Sequence, residues 1–321
     1  MMRAVVQEGY GKPERVLRIA EVDPPVVEDD RALVRVHATS VNAGDWRRVR
    51  ANPAFVRLME GLRRPKSPLF GGDVAGVVEA VGKEITHVAP GDEVYGIRSG
   101  AFAEYVASKN MVRKPANLTL EEAAAVPIAG VTALQAVRDH GELQPGQRVI
   151  VNGAGGGVGT MCVQIAKAFG GEVTAVTRTE SVATMHAIGA DHVIDYRAAD
   201  FTRDGSRYDL IIDVGGNRSI RHLRRVMAPG GRIVLVGAGH GGAGALGRFI
   251  GGNLRRRLRQ PVTTFLADVR REDLETLTEL IEAGKVKPVI ERTYRLDELP
   301  AALRHVEDGH ARGKVVVRVA P

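Results

Sequence analysis

The distribution of apolar positions changes character twice along the chain. Up to about residue 115 the apolar runs are short and β-like, at residues 32–36, 74–81 and 102–107, with Gly, Pro and Asp between them. The opening residues, MMRAVVQEGYG, read as a strand and a turn. Only residues 45–62 carry a helical pattern here, and Pro53 interrupts it. The run GGDVAGVVEAVG sets glycines at tight intervals, which predicts a strongly bent strand pair in a barrel-like β domain.

From residue 120 the period lengthens. Helical patterns occupy residues 120–125 and 131–137, and strand–helix alternation follows. Strands are predicted at 148–151, 173–177, 192–194, 210–213, 232–236 and 263–266, with helices at 158–169, 182–188, 219–227 and 272–282. Strands that are apolar throughout and alternate with helices signal a parallel sheet covered on both faces. The last thirty residues return to short elements: a strand at 289–291, a helix from about 297 to 307, and a Val-rich strand at 314–319. A closing strand needs a sheet to join, so the chain is expected to return to its N-terminal domain. The predicted organisation is residues 1–120, 121–288 and 289–321, the last rejoining the first.

One turn carries chemistry. The strand at 148–151 runs into Asn152-Gly153-Ala154-Gly155-Gly156-Gly157-Val158-Gly159, and a helix starts at about Val158. A dinucleotide-binding turn needs small residues for the sharp bend, for backbone approach to the pyrophosphate, and for helix–strand packing. Those places fall on Ala154, Gly156 and Gly159. The helix N-terminus then offers free N–H donors and the positive end of its dipole to phosphate. An NAD site places a carboxylate about 20 residues on, at the end of the next strand. Here that strand ends in Thr177-Arg178-Thr179, with Glu180 just beyond. An arginine among hydroxyls suits a ribose 2′-phosphate, so NADPH is the expected cofactor.

The chain of 321 residues is long enough for two cores. Its single cysteine, Cys162, excludes a disulfide framework and a four-cysteine zinc lobe. No stretch reaches about 18 apolar residues, so no membrane span is expected, and the N-terminus shows no apolar signal region. A cytoplasmic location is the expectation. The net charge of +7 rests on 36 Arg and nine Lys. Such a balance can suit acidic partners. Only Arg255, Arg256, Arg257 and Arg259 form a dense cluster, so solvated surface is the simpler reading and no nucleic-acid or membrane partner is expected.

Taken together, Ser40-Val41-Asn42-Ala43-Gly44-Asp45, Gly71-Gly72-Asp73-Val74-Ala75-Gly76, Pro90-Gly91-Asp92-Glu93-Val94, Phe102-Ala103-Glu104-Tyr105, the glycine loop and the closing Gly313-Lys314-Val315-Val316 resemble the zinc-independent quinone oxidoreductases of the medium-chain dehydrogenase/reductase superfamily. The resemblance covers nearly the whole chain. It implies an α/β protein with a GroES-like, β-barrel-based catalytic domain and a doubly wound, parallel-sheet Rossmann domain, the active site lying in the cleft between them. It also implies NADPH-dependent reduction of a small quinone or α,β-unsaturated carbonyl. Zinc-containing relatives carry cysteine where Asn42 stands and His-Glu where Gly72-Asp73 stands, so no metal site is expected.

Position by position, the resemblance implies that Gly155, Gly156, Gly157 and Val158 meet the pyrophosphate, and that Thr177 and Arg178 meet the ribose phosphate. Tyr196 would pack the adenosine. Asn217, Val236, Gly237 and Gly239 would meet the nicotinamide ribose, with Phe265 and Leu266 against the carboxamide and Thr132 near the nicotinamide ring. Asn42 is the candidate donor to the substrate oxygen; Asp45 would orient its loop or close a hydrogen-bond network, or serve only as a turn or helix-capping carboxylate. Some enoyl-reducing relatives carry a tyrosine acid where Pro53 stands, which leaves solvent as the proton donor. Residues 237–252 and the arginines after them read either as a lid over the substrate or as a helix at a homodimer interface. The rival functions are a cofactor-binding regulatory or RNA-binding protein with little turnover, and an alcohol dehydrogenase working without zinc.

Overall fold

The computed structural model describes residues 1–237, 261–309 and 311–319. Gly239, most of the 237–252 segment and Arg255, Arg256, Arg257 and Arg259 lie outside the described residues. The chain divides into two compact units: residues 1–129, 269–282 and 288–321 form one, and residues 130–268 and 283–287 the other. The first unit thus extends to residue 129 instead of the expected 120. It also takes helix Arg271–Glu282, expected with the second unit. Local bonding explains this: the Tyr95 hydroxyl donates to the Leu274 carbonyl at 2.7 Å, and Asn117 Nδ2 donates to the Ile281 carbonyl at 2.8 Å. Leu274, Leu277 and Ile281 are the buried stripe of that helix.

In the first unit, strands Ile290–Arg295, Lys314–Arg318, Ala32–Val41, Asp73–Val81, Glu93–Ile97 and Met111–Arg113 lie in that order. The expected short strand at 32–36 is twice as long, and it changes partners midway. Its first half pairs with Tyr105–Ser108 and its second half with Lys314–Arg318, while its pairing with Asp73–Val81 shifts register between Val36 and Ala38. Bulges of this kind bend a sheet, which is the curvature that the glycine-spaced segment predicts. Gly76 shows why glycine is needed there: a Cβ would sit 2.1 Å from the Arg35 carbonyl oxygen. The inner faces bury Val34, Val36, Phe70, Val74, Val78, Phe102, Val315 and Val317, with Phe70 and Phe102 edge-to-face at 4.9 Å. The C-terminal strand does rejoin this sheet, running antiparallel to Ala32–Val41. The helical 45–62 region is two helices, Ala43–Arg50 and Val56–Glu60.

The second unit is a six-stranded parallel sheet. Its order is His192–Asp195, Glu172–Thr177, Arg148–Asn152, Tyr208–Asp213, Met227–Val236 and Val262–Phe265. Numbered along the chain this is 3-2-1-4-5-6, the order of a doubly wound dinucleotide fold. Strand Met227–Val236 starts five residues before its expected beginning, because Tyr208 already pairs with Met227 across a register shift. The helix before it is correspondingly short, Ile220–Arg225. Pro127–Gln135 is followed by a wider π-helical turn, Ala136–His140. Among the described residues, no helix is long and apolar enough to cross a membrane.

Candidate active site

Parallel strands deliver their C-terminal ends to one edge of a sheet, where crossovers leave backbone groups unpaired. The register of the second unit does this for nearly every expected cofactor residue. Thr177 is level with Asp195, Asn152 with Asp213, and Val236 with Phe265. Gly155, Gly156, Gly157 and Val158 follow the first of these ends, and the helix Gly157–Ala168 has Gly156 as its N-cap. The three small positions have distinct geometries. Gly159 is obligatory, since a Cβ there would meet the Gly153 carbonyl at 2.2 Å, so helix and strand touch through backbone. Gly156 faces open space, with nothing nearer its Cβ position than 4.0 Å. Ala154 is fully buried. An open glycine at the mouth of a helix is the cradle a pyrophosphate needs.

Beside that loop, Thr177 is buried and Arg178 half-buried. The Ser181 hydroxyl is buried with no hydrogen-bond partner, and lies 3.3 Å from the position a Cβ on Gly155 would take. Thr179, expected to assist at a phosphate, instead donates its hydroxyl to Asp195 at 2.5 Å. Glu180 is bound to Arg197 at 2.7 Å. Tyr196 is exposed, its N–H donating to the Thr177 carbonyl at 3.0 Å. Asn217 Oδ1 accepts from Asn152 Nδ2 at 2.9 Å, and the same amide donates to the buried Asp213 at 2.7 Å. Gly237 takes a left-handed φ of 72° at the end of its strand. Phe265 stacks on His140 at 4.2 Å, Leu266 is exposed, and Thr132 lies half-buried in Pro127–Gln135.

The first unit holds the remaining two residues. Strand Ala32–Val41 ends at Asn42, the N-cap of helix Ala43–Arg50. The Asn42 N–H donates to Asp45 Oδ2 at 2.7 Å, so Asp45 caps the helix that it belongs to. The Asn42 side chain turns the other way. Its Nδ2 donates to Asp73 Oδ2 at 2.7 Å, and its Oδ1 accepts from Lys314 Nζ, also at 2.7 Å. Asp73 is fully buried and Lys314 is 3% exposed. The two are 3.2 Å apart, the Ser40 hydroxyl also donates to Asp73 Oδ2, and the Ile128 N–H holds Asp73 Oδ1 at 2.8 Å. Burial pushes the Asp45 carboxyl up from 3.8 to about 7, with the Asp73 charge adding to it; the Asn42 N–H, Lys314 and Arg48 pull it down. Sequence reasoning gave Asp73 and Lys314 no role. The available signal was a lone lysine heading an otherwise apolar run, Lys314-Val315-Val316-Val317.

Two family descriptions match the chain: "Alcohol dehydrogenase GroES-like domain" over residues 28–116 and "Zinc-binding dehydrogenase" over residues 188–317. The mitochondrial NAD(P)H oxidoreductase RTN4IP1 of Mus musculus is 33% identical, covering 99% of this chain and 89% of its own. The 2-methylene-furan-3-one reductase of Solanum lycopersicum is 31% identical, covering 100% of this chain and 80% of its own. The quinone oxidoreductase of Coxiella burnetii superposes with a TM-score of 0.85 at 29% identity, covering 99% of each chain.

The raised Asp45 value has a thermodynamic consequence. Between about pH 4 and 7 the folded chain holds a proton that the unfolded chain has released. Stability must therefore fall as pH rises through that window, by up to about 1.4 kcal/mol per pH unit from this group. Asp45→Asn carries no such proton. Urea unfolding should show the variant gaining stability relative to the parent as pH rises from 4 to 7; a constant difference would contradict the raised value.

Proposed function

The chain belongs to the quinone oxidoreductase family of the medium-chain dehydrogenase/reductase superfamily, and on that premise we propose that it is an NADPH-dependent, metal-independent reductase of a quinone or α,β-unsaturated carbonyl. The observation that carries the reading is the orientation of Asn42, an uncharged amide fixed by buried charges at the end of a strand. When bound, NADPH would supply the hydride from C4 of its nicotinamide, which with one proton from solvent would convert a quinone to hydroquinone or an enone to the saturated ketone. Negative charge then grows on the substrate oxygen, and an oriented donor is the main contribution that protein can make there. Asn42 Nδ2 is that donor, and Asp45 holds the Asn42 backbone in place.

The residues at the sheet edge fit a phosphorylated dinucleotide. The Gly156 cradle would take the pyrophosphate, and Arg178, with Thr177 and the unpaired Ser181 hydroxyl beside it, would take the 2′-phosphate. Tyr196, Asn217, Val236, Gly237, Phe265, Leu266 and Thr132 keep the cofactor roles their positions imply. Zinc fits poorly. It asks for three or four thiolate, imidazole or carboxylate donors. Asn42 offers an amide, both Asp73 oxygens are committed, and the neighbouring cation is Lys314. Cys162 is fully buried in helix Gly157–Ala168, and burial pushes its thiol up to about 12. Among the described residues no cluster of His, Cys, Asp and Glu could hold a metal ion. The likeness to the tomato 2-methylene-furan-3-one reductase supports the enone alternative, and the likeness to the Coxiella quinone oxidoreductase the quinone alternative.

Two substitutions test the assignment. A charge-assisted bond to phosphate is worth roughly 1.5–3 kcal/mol, so Arg178→Ala should weaken NADPH by roughly 10- to 100-fold and leave NADH nearly unchanged in a fluorescence titration. Equal weakening of both cofactors would remove Arg178 from the 2′-phosphate. Asn42→Ala should lower quinone or enone turnover by at least about tenfold, up to the roughly thousandfold loss seen when an oriented oxyanion donor is deleted, with NADPH affinity preserved. Normal turnover with collapsed NADPH affinity would make Asn42 a cofactor ligand instead.

A further inference from the structure

A lysine heading a buried, Val-rich strand is costly to bury, and a hydrophobic side chain of similar volume generally serves stability as well or better. Lys314 nevertheless sits 3% exposed beside Val315, Val316 and Val317, between Ile290–Arg295 and Ala32–Val41. Its ammonium donates to two acceptors, Asn42 Oδ1 and Asp73 Oδ2. Resting on the reading of Asn42 above, we propose that Lys314 is a positioning residue: anchored on Asp73, it fixes the direction of the Asn42 carboxamide and strengthens the Nδ2 hydrogen that faces the substrate oxygen.

The chemistry of the three groups dictates that direction. An ammonium can only donate and a carboxylate can only accept. A reversed amide would set its NH2 against the Lys314 ammonium and its carbonyl against Asp73, so one orientation survives. Asp73 cannot turn away to relieve the constraint, because Ser40 and the Ile128 N–H hold its two oxygens. The amide nitrogen carries two hydrogens and Asp73 takes one, leaving the second for a ligand. Donation from Lys314 onto Oδ1 polarises the amide and makes that second hydrogen a better donor, as in other chained hydrogen bonds. The buried cation thus reaches the substrate oxygen through Asn42, without contact of its own.

A double-mutant cycle tests this. Lys314→Met removes the ammonium at nearly constant length. The charge-balanced pair Lys314→Met with Asp73→Asn leaves no lone buried charge, and replaces the single variant should that one fail to fold. With NADPH and 1,4-naphthoquinone as probes, either should lose about tenfold or more in kcat with the KM for NADPH unchanged, and should add less than about twofold to the loss in an Asn42→Ala background. Lys314→Arg, keeping a cation, should recover part of the rate. Equal losses in both backgrounds, with Asn42→Ala itself impaired, overturn the positioning role alone. Full turnover in Asn42→Ala overturns the reading of the site and this inference with it. A readout independent of turnover is the side-chain amide proton pair of Asn42, identified by its disappearance in Asn42→Ala. It should exchange slowly with solvent in the parent and quickly in the charge-balanced variant; an unchanged pair overturns the proposal.

Discussion

A carboxylate removed from water has to be answered by donors on every side, and Asp73 is the residue on which the first unit imposes that demand. Deleting one partner of a buried ion pair typically costs about 3–5 kcal/mol, because the other charge is left stranded. Four donors come from three places: Ser40 and Asn42 at the end of Ala32–Val41, Lys314 at the start of Lys314–Arg318, and the Ile128 N–H. The sheet can satisfy Asp73 only when its last strand has joined beside Ala32–Val41. Closure of the sheet therefore ties the end of the chain to the residues around Asn42.

The second unit solves a different problem with different means. At the mouth of its first parallel strand it presents chiefly backbone: an open Gly156 at a helix N-terminus, and a Gly159 whose missing side chain lets helix and strand meet. The side-chain polarity at the strand ends includes Asn152 bridging Asp213 and Asn217, Thr177, Arg178 and Ser181 beside the loop, and the Thr179–Asp195 and Glu180–Arg197 pairs beyond it. Buried charge orders one unit and arranged backbone dipoles the other.

These two modes differ in how far a sequence discloses them. The glycine loop, the six parallel strands and the return of the C-terminal strand follow from local pattern, since each is written in consecutive residues. Most elements of the second unit were legible to within a few residues, apart from strand Met227–Val236, whose early start depends on pairing with Tyr208; in the first unit the full length of Ala32–Val41 and the short strands Leu17–Val22, Glu93–Ile97 and Met111–Arg113 were not. Two further things were not local. Helix Arg271–Glu282 belongs with the first unit because Tyr95 and Asn117, far away in sequence, bind its carbonyls. The roles of Asp73 and Lys314 arise from residues up to 272 positions apart meeting at Asn42. Asn42 and Asp45 stand out through resemblance, and a helix cap was already a reading open to Asp45; only the turning of the Asn42 amide toward buried charges emerges from geometry alone.

The claim that binds these strands together is that a protein-borne amide, backed by an internal cation, stands where zinc-containing relatives hold a metal. Its most direct test is zinc content and turnover measured on the same sample, purified without chelator from zinc-supplemented growth. A site built on Asn42, Asp73 and Lys314 predicts no stoichiometric zinc, and quinone-dependent oxidation of NADPH undiminished by a strong chelator. One tightly bound zinc per chain, whose removal abolishes turnover, would contradict it.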